Sequence, residues 1–257
     1  MTAAAPNLLL GTSGAAAFTP ITFEAALQME RNMLSGALPP DTALSNASQI
    51  AVWTTHQALI VPSGMPRITN FDSAAAVLAA QGWPVLERDT GGDLTPQFHG
   101  MLNLSMSFTL KDDERNIAAA YGRLTQPIIA FLKDEFAIDS YASSIAGAFC
   151  DGAHNVAIDG RKLAGTAQRW RLMTQTPDRP SVTRVLGHIA VVCSGDLDSA
   201  LDAVNGFYRA AKMDREVVRD AHISLHELIG REAAQPQAIA QRLSAYLART
   251  ATFKTSE

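Results

Sequence analysis

The sequence predicts an α+β fold in which helices flank a mixed, largely antiparallel sheet. Segments rich in Val, Ile and Leu occur in adjacent pairs joined by short turns, which is typical of antiparallel strands. Segments with apolar residues at helical spacing lie between these pairs and can cover the sheet. Hydrophobic residues make up 47% of the 257-residue chain and charged residues 18%, so the chain can bury a sizeable core and is not a disordered protein.

Helix and strand patterns alternate in the first half of the chain. Apolar spacing predicts a helix over residues 23–34, which Pro39 and Pro40 end. Asp72 is the expected N-cap of a second helix, which Gly82 stops. Clusters of Val, Ile, Leu and Trp predict strands at 50–53, 58–61, 85–87 and 102–110. The last strand alternates apolar residues with Asn and Ser, so we expect one of its faces to contact solvent.

The second half of the chain continues with one long helical region and a hairpin. One helix, or two separated at Pro127, is predicted within residues 112–136. Gly160 is the expected turn of the hairpin. Strands are predicted at 145–149, 156–158, 162–171 and 185–193. Helices are predicted at 198–211 and 236–248, with a short helical turn at 224–228. We expect residues 1–20 to be a loosely ordered N-terminus and residues 21–257 to form a single domain.

Charge and cysteine content exclude several classes of protein. The formal net charge is −4, which argues against broad binding to a nucleic-acid backbone. No apolar run approaches the ~20 residues that span a bilayer, and the first basic residue, Arg31, comes too late for a secretory signal. Cys150 and Cys193 are too few for a disulfide framework. We therefore expect a cytoplasmic protein with free thiols and no membrane or nucleic-acid partner.

Two segments carry candidate chemistry. The first contains Arg88, Thr90, Gly91 and Gly92, where paired glycines allow a ligand to approach the backbone and Arg88 offers donors to an anion. The second runs over residues 159–169 and directs Lys162, a compact cation, beside small residues that leave room for a ligand. A hairpin turn with ordinary surface cations explains each segment equally well when it is taken alone.

Taken in order, the two segments resemble the biotin and lipoate protein ligase superfamily, in its lipoate–protein ligase and octanoyltransferase branch. The family motif Arg-Arg-x-[Ser/Thr]-Gly-Gly-[Gly/Arg] is matched in part by residues 87–93. The motif Gly-[Arg/Lys]-Lys-x-[Ala/Ser]-Gly-[Ser/Thr]-Ala is matched throughout by residues 160–167, and a His-Gly-x-Leu-Leu strand is similar to residues 188–192. The resemblance covers roughly residues 23–228 and implies a lipoate–protein ligase catalytic-domain-like fold.

The resemblance implies an enzyme that joins lipoate or octanoate to a lysine of a lipoyl carrier domain or an H-protein-like acceptor. In the ligase route, which we expect first, ATP and Mg²⁺ give an acyl-adenylate. Lys162 would hold the acyl carbonyl and phosphate oxygens. The expected substrate-binding residues are Arg88, Thr90, Gly91, Gly92, Asp151, Gly165, Thr166, Ala167 and His188. About 30 residues follow Leu228, too few for an accessory domain, so a ligase would need a separate subunit.

Cys150 opens a second route. One octanoyltransferase group carries a nucleophilic cysteine shortly before the Gly-Arg-Lys turn and uses a thioester without ATP, and Cys150 sits in a comparable place. A neighbouring cation favours such a thiolate. A buried core thiol is the alternative for Cys150 and the stronger expectation for Cys193.

Departures from the family motifs keep a third route open, a degenerate carrier-binding subunit without catalysis. Asp93 stands where the family has Gly or Arg, and Gln97 and Phe98 replace a His-Asp pair. His222 and His226 have the spacing of zinc ligands on a helix, but no third ligand is evident, so we expect solvated or capping histidines and no metal. Plain core is the stronger expectation for the apolar residues that could line an acyl chain. They are Leu102, Leu104, Met106 and Val191.

Overall fold

Two sheets, six α-helices and two short 3₁₀ helices make up the part of the chain that the computed structural model describes, residues 7–10, 19–36, 49–110, 115–173 and 182–253. The strands are β1 (Asn7–Leu10), β2 (Gln49–Trp53), β3 (Ala58–Pro62), β4 (Val85–Arg88), β5 (Thr95–Gln97), β6 (Met101–Leu110), β7 (Tyr141–Ser143), β8 (Asn155–Ile158), β9 (Arg161–Met173) and β10 (Val182–Val192). The helices are α1 (Phe23–Ser35), α2 (Phe71–Ala80), α3 (Ile117–Phe136), α4 (Leu197–Ala210), α5 (Leu225–Ile229) and α6 (Pro236–Phe253).

The larger sheet has the strand order β1-β2-β6-β10-β9-β8-β7. Its neighbours are antiparallel except for β1 and β2, which run parallel. The smaller sheet has the order β4-β3-β5, with β4 parallel and β5 antiparallel to β3. A mixed, largely antiparallel sheet flanked by helices is therefore confirmed.

The two faces of the larger sheet meet different partners. Leu104 and Phe108 of β6 pack in one cluster with Phe131 of α3 and Leu243 of α6. On the opposite face, α1 packs with Trp53 in a cluster that also includes the start of the smaller sheet. The space between α1 and the two sheets is where the candidate site forms.

Helix α1 is set by local sequence. The side chain of Thr22 accepts a hydrogen bond from the Ala25 amide at 3.2 Å and caps the helix, which ends at Gly36 with φ of 71°. The face of α1 that packs on the sheet includes one carboxylate, Glu30, which is only 6% exposed. A buried carboxylate needs partners, so this helix face must meet polar groups.

The polar face of β6 supplies those partners, and the expectation that this face contacts solvent is wrong. Asn103, Ser105 and Ser107 are each 0% exposed. They lie opposite the apolar face of β6 and bond to side chains of β5, α1 and β2. Alternation correctly predicted two different faces, but a strand pattern does not distinguish solvent from a polar wall inside the fold.

Several predicted elements differ from the structure. Residues 145–149 form a turn instead of a strand, with Gly147 at φ of 81°, which glycine adopts without strain. Strand β5 was not predicted. Helix α2 is preceded by Asn70 as its N-cap instead of Asp72. Pro127 lies inside a single helix, α3.

Within the expected N-terminal segment, Asn7–Leu10 pairs with β2 as strand β1. Other expectations fall outside the described residues: the stop at Pro39 and Pro40, the start of a helix at residue 112, and the rest of residues 1–18. Among the described helices, none combines the length and apolar character needed to cross a membrane.

Candidate active site

A mostly apolar pocket lies between α1, the two sheets and the turn that holds Cys150. Its walls come from Phe23, Ala26, Leu27, Glu30, Trp53, Ile60, Arg88, Thr90, Thr95, Gln97, Cys150, Gly165, Thr166, Ala167, His188 and Ala190. Small residues on β9 and β10 leave the space, and α1 closes it from the other side. A concave apolar cavity with a few polar groups is typical of a small-ligand site.

The sequence predicted about half of the residues that line the pocket. Seven predicted site residues line the cavity, namely Arg88, Thr90, Cys150, Gly165, Thr166, Ala167 and His188. Gly91 and Gly92 are exposed on the adjoining loop. Leu102, Leu104, Met106 and Val191 lie in the opposite core cluster with α3 and α6, so the stronger expectation for them, plain core, is confirmed.

Arg88 organises the glycine loop, which is formed by residues 89–94 between β4 and β5. Its guanidinium is buried and donates to the carbonyl oxygens of Ile60, Gly91 and Asp93, with donor–acceptor distances from 2.7 to 3.2 Å. Burial lowers the pKa of Arg88, and the neighbouring Cys150 and Asp93 counteract that shift. The guanidinium N–H groups that we expected to bind a ligand anion are therefore mostly hydrogen-bonded to backbone carbonyl oxygens.

Asp93 does not point its charge into the pocket. Its Oδ2 pairs with the guanidinium of Arg215, and its Oδ1 accepts from the Leu94 amide at 2.7 Å. The Arg215 guanidinium also lies over the ring of Tyr208, 5.2 Å from its centroid. The acid that departs from the family motif is thus neutralised, and it offers its backbone amide to the site.

Cys150 occupies the end of the unpredicted turn. Its backbone has φ of 46°, an uncommon value for a residue other than glycine. The carboxylate of Asp151 accepts from the Ile145 amide at 2.6 Å and closes the turn, so Asp151 holds the loop and is itself exposed. Residues in sparsely populated backbone conformations cluster at functional sites.

The Cys150 thiol meets the glycine loop directly. Its Sγ accepts a hydrogen bond from the Asp93 amide at 3.1 Å. A Cβ at Gly92, where φ is 102°, would lie 2.8 Å from that Sγ and 2.9 Å from Nη2 of Arg88. The glycine therefore permits the thiol and a buried guanidinium to approach each other, an electropositive setting in which reactive cysteines occur.

Lys162 is fully buried behind Gly165. Its Nζ donates to the carbonyl oxygens of Phe149 and Cys150, at 2.5 and 3.0 Å, and lies 4.4 Å from the centroid of the Phe149 ring. A Cβ at Gly165 would come within 3.2 Å of Nζ, so the glycine keeps the amine in reach of the pocket. Burial lowers the pKa of Lys162 to about 8, against raising contributions from Cys150 and Asp151.

His222 is a site-supporting residue that sequence reasoning placed wrongly. It is fully buried, not solvated, and Nε2 accepts from the Phe149 amide at 3.1 Å while Nδ1 bonds the Val218 carbonyl at 2.8 Å. Its ring stacks on that of Phe149, and burial lowers its pKa to about 4. His222 is thus neutral and supports the residue that precedes Cys150.

Glu30 on the opposite wall was not predicted, whereas its partner His188 was. Nδ1 of His188 lies 2.7 Å from Oε1 of Glu30, which also accepts from the Ser105 hydroxyl at 2.6 Å. The Trp53 indole donates to that hydroxyl at 2.9 Å. The only sequence evidence for Glu30 was a charge on the apolar face of a predicted helix.

The other candidates carry no site chemistry. Cys193 is fully buried in the core cluster, and burial raises its pKa. No group of three or more His, Cys, Asp or Glu residues that could hold a metal ion occurs within the described part of the chain.

Comparisons with known proteins agree with this architecture. The family model described as lipoyl protein ligase A/B catalytic domain matches residues 40–248. An uncharacterized protein of Cupriavidus necator is 30% identical over 220 residues, which cover 82% of this chain and 87% of that protein. The octanoyl-[GcvH]:protein N-octanoyltransferase of Kyrpidia tusciae is 33% identical over 156 residues, 59% of this chain and 52% of that enzyme. The chain thus spans about half the length of this named relative.

A solved structure, lipoate-protein ligase A bound with ATP, has a TM-score of 0.61 at 13% identity, covering 98% of this chain and 96% of that one. At that identity the likeness shows the fold. The predicted fold class, the resemblance to the family and the expectation of an enzyme are confirmed. The chain belongs to the lipoyl protein ligase A/B catalytic domain family.

Proposed function

We propose that this enzyme transfers an octanoyl or lipoyl group between carrier lysines through a thioester on Cys150. The observation that carries the proposal is the position of the Cys150 Sγ, in the wall of the apolar pocket and bonded by the Asp93 amide. The pocket suits the hydrocarbon part of such a group, since burying each methylene contributes about 0.8 kcal/mol. The name of the Kyrpidia tusciae relative describes the same kind of transfer, from octanoylated GcvH to another protein.

The proposed reaction has two acyl-transfer steps. The Cys150 thiolate attacks the carbonyl carbon of the acylated donor, a C–S bond forms, and the bond to the donor breaks. A donor lysine leaves as an amine that takes a proton, whereas a thioester donor leaves as a thiol. The amine of the acceptor lysine then attacks the thioester, an amide forms, and the Cys150 thiolate is released as the amine loses a proton. No oxidant, reductant or nucleotide is consumed.

Lys162 would support both steps. An ammonium group has three N–H donors, and the carbonyl oxygens of Phe149 and Cys150 take two of them among the described residues. The third donor remains for the acyl carbonyl oxygen, whose charge increases in the transition state. The same two hydrogen bonds fix the backbone that presents the thiol.

The ligase route that we expected first has less support in this pocket. The guanidinium that would hold a phosphate of ATP or an acyl-adenylate at the glycine loop, that of Arg88, donates to three backbone carbonyl oxygens instead. Arg88 therefore has few donors left for a nucleotide phosphate, which supports the ligase route less than the transfer route. A binding-only subunit has no evident use for a thiol held between a backbone amide and a buried guanidinium.

The proposed partners are a donor and an acceptor of the lipoyl carrier class, such as an H-protein-like carrier and a lipoyl domain. The test is transfer between two carriers of different mass. We expect octanoyl groups to move from the octanoylated H-protein-like carrier to the lipoyl domain without ATP or Mg²⁺, as followed by intact-mass spectrometry. A parallel reaction would offer an octanoyl thioester of an acyl carrier protein as the donor.

Two cysteine variants make this assay decisive. Cys150→Ala should abolish transfer, and Cys193→Ala should retain it because Cys193 lies in the core. Transfer that persists in Cys150→Ala, or that occurs only with lipoate or octanoate plus Mg²⁺-ATP, would establish the ligase route instead. The absence of any acylated carrier in every reaction would favour the binding-only alternative.

A further inference from the structure

Two residues of the pocket wall, Glu30 and His188, have polar atoms that the proposed transfer chemistry does not use. Glu30 is only 6% exposed, and its Oε1 is occupied by the Ser105 hydroxyl and by Nδ1 of His188. Among the hydrogen bonds of the described residues, none reaches Oε2 of Glu30 or Nε2 of His188. Both residues line the pocket. Their unused oxygen and nitrogen are therefore available to a ligand inside it.

Strand register separates these atoms from the reacting end. Ala190 is paired with Gly165, the glycine that contacts the Lys162 amine, and His188 is paired with Ala167. Two residues along a strand on the same face correspond to roughly 7 Å. An acyl chain with its carbonyl at Cys150 and Gly165 therefore reaches His188 and Glu30 with its distal part.

The Glu30–His188 pair is held in place by a relay of hydrogen bonds. The Trp53 indole donates to the Ser105 hydroxyl at 2.9 Å, and that hydroxyl donates to Glu30 at 2.6 Å. The edge of the His188 ring also meets the Trp53 ring, with centroids 5.4 Å apart. The Glu30–His188 pair is therefore preorganised, so it keeps its orientation when a ligand enters the pocket.

We propose that Glu30 and His188 form a polar subsite that selects an acyl group with a hydrogen-bond donor, such as a hydroxyl, near its distal end. This proposal rests on the proposed function for the direction of the chain. A plain hydrocarbon end would remove solvent from the carboxylate without giving it a partner, which is unfavourable. A hydroxyl would donate to Oε2 of Glu30 or to Nε2 of His188. Sites built to bond a ligand hydroxyl discriminate strongly against analogues that lack it.

The test compares two probes, octanoyl and omega-hydroxyoctanoyl, each presented as the same small-molecule thioester. The measured quantity is the ratio of their rates of acylation of Cys150, followed by intact mass. We expect the hydroxylated probe to react at least about 10-fold faster in the unmodified protein. Glu30→Leu should reduce this ratio to about one or below, because the acceptor is lost. Glu24→Leu, which removes an exposed carboxylate of the same helix outside the pocket, should preserve it.

Within each variant the ratio is independent of how much of the protein is folded. Glu30→Gln keeps an acceptor for Ser105 and serves as the second variant if Glu30→Leu does not fold, with an intermediate ratio expected. Equal or faster reaction of the plain octanoyl probe in the unmodified protein would overturn the polar subsite. So would a ratio that Glu30→Leu or Glu30→Gln leaves unchanged.

Failure of the proposed function gives a different result. If neither probe acylates Cys150, the transfer proposal is wrong, and calorimetric titration of Cys150→Ala with octanoate and omega-hydroxyoctanoate tests the subsite alone. Tighter binding of the hydroxylated acid, reduced by Glu30→Gln, would support the subsite without the thioester chemistry. Equal binding of the two acids would contradict it.

Discussion

At the scale of single residues, Lys162 shows how burial and chemistry are coupled. A buried cation is expensive unless it is bonded, and Lys162 has two carbonyl oxygens and an aromatic ring around its amine. Burial nevertheless lowers its pKa to about 8 from 10.5. The proposed role of Lys162 in acyl transfer offers a reason for keeping a charge at this unfavourable position.

The shift of Lys162 predicts a dependence of stability on pH. Between about 8 and 10.5 the unfolded chain binds a proton that the folded protein has released, so the free energy of unfolding should rise with pH in that window. We expect a gain of up to about 3 kcal/mol relative to Lys162→Met, which does not titrate. Urea denaturation of both proteins at several pH values measures the difference. Parallel curves would show that the amine is not desolvated.

Lys162→Met should also lower the transfer rate by about 100-fold or more.

The pKa shift of His222 predicts how stability depends on pH at the acidic end of the range. Its pKa is lowered to about 4 from 6.5, so the unfolded chain takes up the proton first as the pH falls. Stability should therefore decline between about 6.5 and 4, by up to about 3 kcal/mol. His222→Gln, which retains an acceptor for the Phe149 amide, should flatten the decline, and the exposed His56→Gln should not. Thermal melting across this range checks the prediction, and a decline that survives in His222→Gln would assign it to other groups.

At the scale of elements, the glycine loop illustrates how a motif can be correctly recognised while its chemistry is misjudged. Paired glycines and an arginine predicted a loop for an anion, and the loop is present. Three backbone carbonyl oxygens accept from Arg88, so the arginine shapes the loop instead of offering its fork to a ligand. The direction of a side chain depends on its tertiary neighbours, which a local motif does not contain.

The two glycines of this loop should respond differently to substitution. Gly92→Ala places a Cβ against the Cys150 Sγ at a φ of 102°, and we expect the transfer rate to fall at least about tenfold. At Gly91 no atom lies within 4 Å of an added Cβ, so Gly91→Ala should retain most activity. Steady-state rates, with circular dichroism as a check of folding, measure both effects. Equal losses in the two variants would contradict the proposed contact between Gly92 and the thiol.

Strand β6 and the turn before Cys150 show what a local sequence pattern cannot predict. Alternation in β6 correctly predicted a strand, but its polar face is buried because Glu30 of α1 and Gln97 of β5 provide partners there. Residues 145–149 have the composition of a strand, yet Gly147 and Cys150 both have positive φ and force a turn. Burial and backbone conformation of this kind come from long-range contacts.

At the scale of the whole molecule, topology assembles the site from distant parts of the chain. Helix α1, the glycine loop, the Cys150 turn and strands β9 and β10 contribute walls to one pocket. The sequence predicted most of the elements, the family and seven of the wall residues. It did not predict Glu30, Trp53 or the support from His222, because these residues belong to no motif and meet the site only through packing.

The central claim is that Cys150 becomes acylated, and direct detection of the acyl-enzyme tests it most simply. The protein would be mixed with an octanoyl donor without ATP, quenched in acid, and examined by intact mass and peptide mapping. We predict one octanoyl group on the peptide that contains Cys150, removable by neutral hydroxylamine, present in Cys193→Ala and missing from Cys150→Ala. An unmodified protein, or an octanoyl group attached elsewhere, would contradict the claim.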